Sequence, residues 1–247
     1  MSVLANIHRG KRVKPRRTVL YGVHGIGKST FAAKWPKPIF LDLEGGCDHL
    51  DVDSVRLKNA IDVFGAIVEL GSPDESQYET IVVDSADWLE KMAWEEICRK
   101  HGKDSITDVS FGKGYKESAA FFGKLFGALD VCRDSGKHIL LLAHCEPFKH
   151  EPPDGESYHR YGPKMHEQVN GLVMEWCDEL LFVNYKTFTA EKDEGFNRKR
   201  SVALGGEERV IYTCERPGWL AKNRLGLPDQ VPFDFDTYFS FVKKGSK

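Results

Sequence analysis

The chain has 247 residues, of which 41% are hydrophobic, and this size and composition fit one globular domain with a buried core. Its formal net charge of −2 excludes the strong overall positive charge of a general polyanion binder, so any nucleic-acid contact has to be local. The 6 cysteines include no C-x-x-C pair, which argues against a zinc ribbon or a disulfide framework and favours a reducing compartment.

The first segment, residues 1–17, is a basic N-terminal arm that contains no acidic residue. Its cations are Arg9, Lys11, Arg12, Lys14, Arg16 and Arg17. Such a block serves either solubility or contact with nucleic acid, and the sequence leaves both open. Neither this segment nor any later run has the apolar length of a signal peptide or a membrane span, so we expect a cytoplasmic protein without a membrane partner.

Apolar runs then alternate with amphipathic stretches along the chain. Strands are predicted at residues 18–22, 38–44, 80–85, 138–144 and 179–185, and helices at residues 28–34, 60–70, 86–101 and 115–135. The strand runs are continuous in Val, Ile and Leu, which is typical of strands that are covered on both faces. We therefore predict an α/β fold with a mostly parallel central sheet flanked by helices.

The composition changes after residue 185, where charged residues and glycines separate short β-prone runs. This pattern predicts a C-terminal β-hairpin extension and a further strand at residues 208–215. Residues 101–114 and 145–164 lack clear periodicity and are predicted to be long, functional or mobile loops. The domain organisation expected from these patterns is a core over residues 18–228, followed by a tail over residues 229–247.

The most specific motif is the glycine-rich segment from Gly22 to Ser29, which matches G-x-x-x-x-G-K-[ST] between a predicted strand and a predicted helix. Glycines let successive backbone N–H groups point at phosphate oxygens, Lys28 can reach the β- and γ-phosphates, and Ser29 can ligate Mg²⁺. The weaker alternative is a glycine turn that binds nothing. The predicted nucleotide-binding residues are Gly22, Val23, His24, Gly25, Ile26, Gly27, Lys28, Ser29 and Thr30.

Acidic residues end two other predicted strands. Asp84 ends the third strand, which we expect beside the first, and its carboxylate is predicted to complete a Mg²⁺ site with Ser29. Glu44 follows the second strand and is the candidate general base for hydrolysis. Asp42 alternates with Glu44 on the same strand and remains a rival candidate.

A histidine ends the fourth predicted strand. His144 is predicted either to sense the γ-phosphate and pass that state to the loop behind it, or to cap the strand through a simple backbone bond. The nearby His150, His159 and His166 match no familiar spacing of metal ligands.

The order of these motifs resembles the RecA-like P-loop ATPases, and the glutamate after the second strand is the distinguishing part. The segment WLAKNRLGLP, residues 219–228, resembles the K-N-R-[FN]-G segment of RadA and the replicative hexameric helicases. Together with the segment YHRYGPKMHEQVNGLVMEWCDELLFVNY, the pattern is most similar to the AAA-type ATP-binding proteins of bacteriophages and prophages, several of which are described as compact recombinases or single-strand annealing proteins.

The resemblance implies ATP and Mg²⁺ as ligands and an ATPase activity stimulated by DNA. It also implies that Lys222 and Arg224 reach the ATP of a neighbouring subunit, and hence a homo-oligomer, either a ring or a filament, with ATP at the subunit interface. A basic surface turn is the alternative for this pair. His144 departs from the family pattern, in which a glutamine is common at the end of this strand.

Three functions follow from these features. The first is ATP hydrolysis coupled to single-stranded DNA in recombination or annealing, because the 145–164 segment interleaves aromatic residues with cations. Acids in the same segment largely cancel its charge, so the second is a nucleotide-switched binder of phage or host replication proteins. The third is a small-molecule phosphotransferase with the 101–114 loop as its lid.

Overall fold

The computed structural model describes residues 7, 9, 10, 14–75, 77–193 and 199–245, and of these it describes only the backbone of residues 187–193, 199–205, 244 and 245. Lys11 and Arg12 of the basic arm and the tip of the C-terminal hairpin therefore lie outside the described residues. The strands are β1 Arg17–Gly22, β2 Pro38–Asp42, β3 Asp53–Arg56, β4 Thr80–Asp84, β5 His138–His150, β6 Tyr158–Pro163, β7 Glu179–Asp193, β8 Lys199–Tyr212, β9 Lys222–Asn223 and β10 Gln230–Pro232. The helices are α1 Lys28–Ala32, α2 Ala60–Leu70, α3 Ala86–His101, α4 Lys113–Asp134, α5 Glu167–Trp176 and α6 Phe235–Gly245.

The strands form one sheet in the order β10-β8-β7-β1-β5-β4-β2-β3, in which every pair from β7 to β3 is parallel. β7 and β8 form the antiparallel hairpin, so the predicted α/β fold with a C-terminal hairpin is confirmed. The expectation that the strand ending in Asp84 lies beside the first strand is wrong, because β5 is inserted between β1 and β4. Asp84 still reaches the same edge of the sheet, since parallel strands end together.

Both faces of the sheet are covered, as the continuous apolar runs predicted. Along β1, Val19 and Tyr21 face a cluster that includes α2, α3, α4 and α5, whereas Leu20 faces a second cluster with α1 and α6. The alternation follows from the two-residue period of a strand, which sends successive side chains to opposite faces. The core therefore lies in two layers around the sheet.

The C-terminal helix α6 belongs to this core, although the sequence pattern predicted no element there. Tyr238 is fully buried and donates a hydrogen bond to the buried Glu179 at 2.8 Å, which also accepts one from Thr18 at 2.8 Å. Arg16 lies 3.3 Å from the same carboxylate, so this cation of the basic arm is engaged within the fold. α6 is thereby fixed to the start of β1 and β7.

The segment 145–164, predicted to be a loop, is mostly a hairpin. β5 continues to His150 and pairs antiparallel with β6, in register from Cys145 opposite Pro163 to His150 opposite Tyr158. Phe148 packs across the pair against Gly162, where an added Cβ would lie 2.7 Å from its ring. This cross-strand packing, which a one-dimensional pattern does not reveal, accounts for the missed hairpin.

Three smaller differences concern an unpredicted strand, the end of α1 and the 101–114 segment. β3 was not predicted, because its four residues are all exposed and lack an apolar face. α1 ends at Ala32 rather than at Lys34, since the chain tightens into i,i+3 bonds before Pro36, and residues that precede a proline disfavour helix. The 101–114 segment contains two short 3₁₀ turns. Within the part of the chain that the structure describes, no helix combines the length and the apolar character needed to span a bilayer.

Candidate functional site

The glycine-rich loop joins the end of β1 to the start of α1, as the motif predicted. Gly22 passes so close to β7 that an added Cβ would lie 2.3 Å from the carbonyl oxygen of Val183. Gly25 and Gly27 have φ values of +71° and +101°, in the region that disfavours other residues. The loop therefore keeps a tight curvature that only glycine permits. Since α1 has only 5 residues, the loop amides and Lys28 have to provide most of an anion site.

Lys28 lies inside this loop with 7% of its surface exposed. Its Nζ donates to the carbonyl oxygens of Gly22 and Val23 at 3.2 and 3.1 Å, and no carboxylate of the described residues lies within ion-pair distance of it. Burial lowers the pKa of Lys28, because the ammonium loses hydration that the carbonyls do not fully replace. A bound anion could therefore form an ion pair with this buried ammonium group.

Ser29 and Asp84 meet at the carboxyl edge of the sheet, where β1, β2, β4 and the parallel part of β5 end. The Ser29 hydroxyl donates to Asp84 Oδ2 at 2.6 Å. Burial raises the pKa of Asp84, and the carboxylates of Glu44 and Asp42 add to the rise. A hydroxyl and an uncompensated carboxylate are hard oxygen donors of the kind Mg²⁺ prefers, so this pair fits the predicted metal.

Glu44 lies beside this pair, just beyond β2. Its Oε1 accepts a hydrogen bond from the hydroxyl of Ser85, the residue after Asp84, and lies 3.6 Å from Nδ1 of His144. The Glu44 side chain is 25% exposed, so it is partly accessible to solvent. A positioned carboxylate with access to water can accept a proton from a nucleophile.

Asp42, the rival candidate, has a different environment. Its Oδ1 accepts hydrogen bonds from the backbone N–H groups of Glu44, Gly45 and Gly46 at 3.2, 2.6 and 3.3 Å, and its Oδ2 lies 3.4 Å from Arg56 Nη1. These bonds close the turn after β2 and occupy the carboxylate. Of the two acids, the geometry favours Glu44 as the reactive one.

His144 lies between the glycine loop and α3. Its backbone N–H and its Nδ1 contact the carboxylate of Asp87 at 3.1 and 2.9 Å, and its ring stacks on His24 of the glycine loop with centroids 3.8 Å apart. Burial opposes ionisation of Asp87, but hydrogen bonds from His144 hold the pKa of this carboxyl below its usual value. The stack gives the end of the parallel part of β5 a direct contact with the loop that is predicted to hold phosphate.

The hairpin beyond His144 is attached to α3 at both ends. Asp87 holds His144 at the first end, and Glu90 accepts the backbone N–H of His166, just past the second end, at 2.9 and 3.2 Å. Burial raises the pKa of Glu90 to about 7, and Asp87 and Glu146 add to the rise. Because α3 begins directly after Asp84 and Ser85, one helix joins the nucleotide motif to the base of the hairpin.

The cations of the hairpin are mostly paired with acids. Arg160 lies 2.7 Å from Glu215, and Lys149 is paired with Glu151. The Arg160 guanidinium also covers the ring of Phe148, 5.3 Å from its centre. Tyr161 is 40% exposed and stacks on Phe182. The hairpin surface thus offers an aromatic ring, and its cations Lys149 and Arg160 are compensated by acids.

Lys222 and Arg224 lie at the amino edge of the sheet, where β1 and β7 begin, and so the structure does not bring them to the glycine loop of the same chain. Lys222 Nζ donates to the carbonyl oxygens of Met174, Glu175 and Cys177 at the end of α5. Arg224 Nη1 lies 3.4 Å from Asp178, and its side chain is 53% exposed. Arg224 could contact a second copy of the chain without disrupting a helix cap. Lys222 could not, because it caps the C-terminal end of α5.

Sequence reasoning missed three residues of this region. Asp87 and Glu90 follow Asp84 at helical spacing, so their acidity at the start of a predicted helix was a usable signal. Arg209 on β8 donates from Nη1 to the carbonyl oxygen of Ile26 at 2.9 Å, and no local pattern marks it.

Comparison with known proteins gave two findings. Residues 14–225 match a family model described as AAA domain. An uncharacterized protein derived from the SPbeta prophage of Bacillus subtilis strain 168, YorG, is 23% identical over 217 residues, which cover 81% of this chain and 62% of that relative. The chain thus spans less than two thirds of the relative's length.

Proposed function

Because the chain belongs to the AAA domain family, we propose that it hydrolyses ATP with Mg²⁺ and couples the hydrolysis to single-stranded DNA in phage-type recombination or annealing. The observation that carries the nucleotide site is the pair of buried charges on Lys28 and Asp84, neither of which forms an ion pair within the described residues. Lys28 Nζ donates to the carbonyl oxygens of the glycine loop, and Asp84 accepts from the Ser29 hydroxyl. An anion beside the first and a cation beside the second would compensate both, and a Mg²⁺–triphosphate complex supplies the two together.

Each residue of the site has a role in this proposal. The loop amides and Lys28 hold the β- and γ-phosphates, and Ser29 and Asp84 hold Mg²⁺. The metal, when bound, neutralises charge on the phosphate oxygens. Glu44 accepts the proton of the attacking water, whose oxygen forms the new bond to the γ-phosphorus while the bond to the oxygen of the ADP leaving group breaks.

The path from this site to the hairpin runs through His144. A donor in contact with His24 and fixed by Asp87 responds to the charge on the terminal phosphate, and the chain that follows it is the first strand of the hairpin. Loss of the γ-phosphate would change the contacts of His144, and α3 would carry that change to both ends of the hairpin.

Coupling to single-stranded DNA is supported by the exposed ring of Tyr161, which offers a face for a base. The prophage relative supports the phage context of the proposal. A second candidate function follows from the pairing of Arg160 with Glu215 and of Lys149 with Glu151. A surface whose cations are compensated by acids suits a protein partner better than a phosphate backbone, which favours a nucleotide-switched partner binder.

A second copy of the chain is the remaining partner that we propose. The exposed guanidinium of Arg224 would reach the γ-phosphate held by a neighbouring protomer and neutralise the charge that develops during transfer. The ring or filament formed in this way places ATP between subunits.

The direct test is ATP turnover with and without Mg²⁺ and single-stranded DNA, with Lys28→Ala as the inactive control. We expect turnover that requires Mg²⁺ and rises with DNA, together with DNA binding that weakens as salt increases. Turnover that ignores DNA would instead support the partner-binding function. Wild-type protein that neither binds nor hydrolyses ATP would refute both.

A further inference from the structure

A small cavity lies on the outer side of the glycine loop, next to the proposed phosphate site. It has a volume of about 160 Å³. The residues that line it include Gly27 and Phe31, Arg209 on β8, and Phe233 and Asp234 just before α6. Pockets for drug-sized ligands measure roughly 300–1,000 Å³, so this one has room for a single ring system. It opens where the glycine loop passes into α1, and hence where the part of a nucleotide beyond its phosphates would emerge.

Arg209 connects the cavity to the loop. Its Nη1 donates to Ile26 at 2.9 Å, and an added Cβ on Gly27 would lie 3.0 Å from the same nitrogen. The guanidinium carbon lies 5.4 Å from the ring centre of Phe233. A planar cation held against an aromatic ring forms a flat wall, and such walls stack well with planar heterocycles.

The other walls are fixed by the packing of α6. Phe233 stacks on Phe31 of α1 with centroids 4.9 Å apart, and its backbone N–H donates to the carbonyl oxygen of Arg209 at 3.0 Å. Asp234 is the one acid among the lining residues, and its Oδ2 accepts hydrogen bonds from the N–H and hydroxyl of Thr237 at 2.9 and 2.8 Å. The cavity is therefore preformed, with a stacking wall and one fixed hydrogen-bond acceptor.

We propose that this cavity receives the base of the bound nucleotide, with Arg209 as the residue that stacks on it and Phe233 as the ring that supports Arg209. This inference rests on the proposed ATP site, because it assigns the base of the same ligand. Asp234 accepts a hydrogen bond from an amino group of the base. Phe233 and Asp234 lie beyond residues 14–225, so the family match does not include them.

The test compares two ligands that share phosphates but differ in the nucleoside, Mg²⁺–ATP and Mg²⁺–tripolyphosphate, by titration calorimetry. Wild-type protein should bind ATP more tightly than tripolyphosphate. Arg209→Lys, which keeps the charge but loses the planar fork, should weaken ATP by about tenfold and leave tripolyphosphate within about twofold. Phe233→Leu keeps an apolar side chain but removes the aromatic ring, and it should act in the same direction, which guards against a fold defect in the first variant.

Arg216→Ala is the matched control, because Arg216 is an exposed arginine paired with Asp229, away from the glycine loop. It should leave both affinities unchanged. If wild-type protein binds the two ligands equally, or if the variants weaken both alike, the cavity is not a nucleoside site while the phosphate site stands. If wild-type protein binds neither ligand, the proposed ATP site itself fails, and the nucleoside site fails with it.

Discussion

The two edges of the sheet hold similar residues in opposite electrostatic states. At the amino edge, Asp178 contacts Arg17, Arg133 and Arg224, at 3.0, 3.0 and 3.4 Å. Burial there opposes ionisation, but hydrogen bonds and charge from Arg17 and Arg133 hold the pKa of Asp178 below its usual value. At the carboxyl edge, Asp84 has the Ser29 hydroxyl as its hydrogen-bond donor, and burial raises its pKa.

The difference separates a structural cluster from the proposed ligand site. A charge that forms ion pairs within the chain stabilises one conformation, whereas a buried charge with hydrogen bonds but no ion pair lowers stability until a ligand compensates it. Asp178 belongs to the first kind, and within the described residues Lys28 and Asp84 belong to the second. Removing a charge should therefore have opposite effects on stability at the two edges.

The largest effect is expected from Lys28→Met. Turnover of ATP should fall about 10²–10³-fold, the loss typical when a main electrostatic contact to the reacting group is removed. The free energy of unfolding should stay the same or increase, because the variant no longer buries an uncompensated cation. Steady-state kinetics and urea denaturation measure the two, and Lys124→Met, at an exposed position of α4, is the control. A large loss of stability in Lys28→Met would contradict the comparison.

Asp178→Ala should have the opposite signature. It leaves Arg17 and Arg133 without their shared carboxylate, and because this cluster is partly buried, the loss should lie between the roughly 1 kcal/mol of an exposed pair and the roughly 3 kcal/mol of a fully buried one. Asp134→Ala breaks an exposed pair with Lys14, 2.7 Å apart, and should cost under about 1 kcal/mol. Denaturation in urea at one pH compares the two. Equal losses would mean that the amino-edge cluster is no more than a set of surface ion pairs.

Glu90→Gln tests, through the pH dependence of the unfolding free energy, whether a buried acid near the carboxyl edge has a raised pKa. The raised pKa of about 7 means that the folded state holds this proton above the usual value of 4.5, so stability falls as the pH rises from about 4.5 to 7. The glutamine variant lacks this loss, and its unfolding free energy relative to wild type should increase by about 2–3 kcal/mol across that window. Glu95→Gln, at an exposed position of the same helix, should show no such trend. If the difference in unfolding free energy between Glu90→Gln and wild type does not change with pH, the raised pKa of Glu90 is refuted.

The smallest effect on stability is expected from Arg224→Ala. Its side chain is half exposed, so its loss should cost under about 1 kcal/mol. Its effect on catalysis depends on assembly: Arg224→Ala and Lys28→Ala should each be inactive alone and recover ATP turnover when mixed, because each supplies what the other lacks across one interface. A mixture that stays inactive would argue against the neighbouring subunit as the target of Arg224.

The features that could be predicted depend on residues close together in the sequence. They are the glycine loop, the strand ends near Glu44 and Asp84, and the coverage of both faces of the sheet. The insertion of β5 between β1 and β4 does not, because strand order depends on long-range packing. Phe235, Tyr238, Phe239 and Val242 are spaced as on one face of a helix, so α6 could have been predicted from that period.

The environment of each acid was the least predictable feature. Asp42 and Glu44 differ by two positions, yet the first closes a turn and the second faces the site. That division depends on which backbone N–H groups the turn directs inward and on the approach of Arg56 from β3. The sequence shows where the two acids are, but only the folded turn shows that Asp42 is engaged by backbone N–H groups and that, within the described part of the chain, Glu44 is not.

The attachment of α6 has a practical side for protein production. Phe31 and Trp35, on and just after the short helix that follows the glycine loop, are covered by Phe235 and Tyr238. A recombinant fragment trimmed to residues 14–225 would expose these rings to water and loosen the support of Lys28 and Ser29. Such a fragment should aggregate, which makes α6 part of the folded domain and not a separable tail.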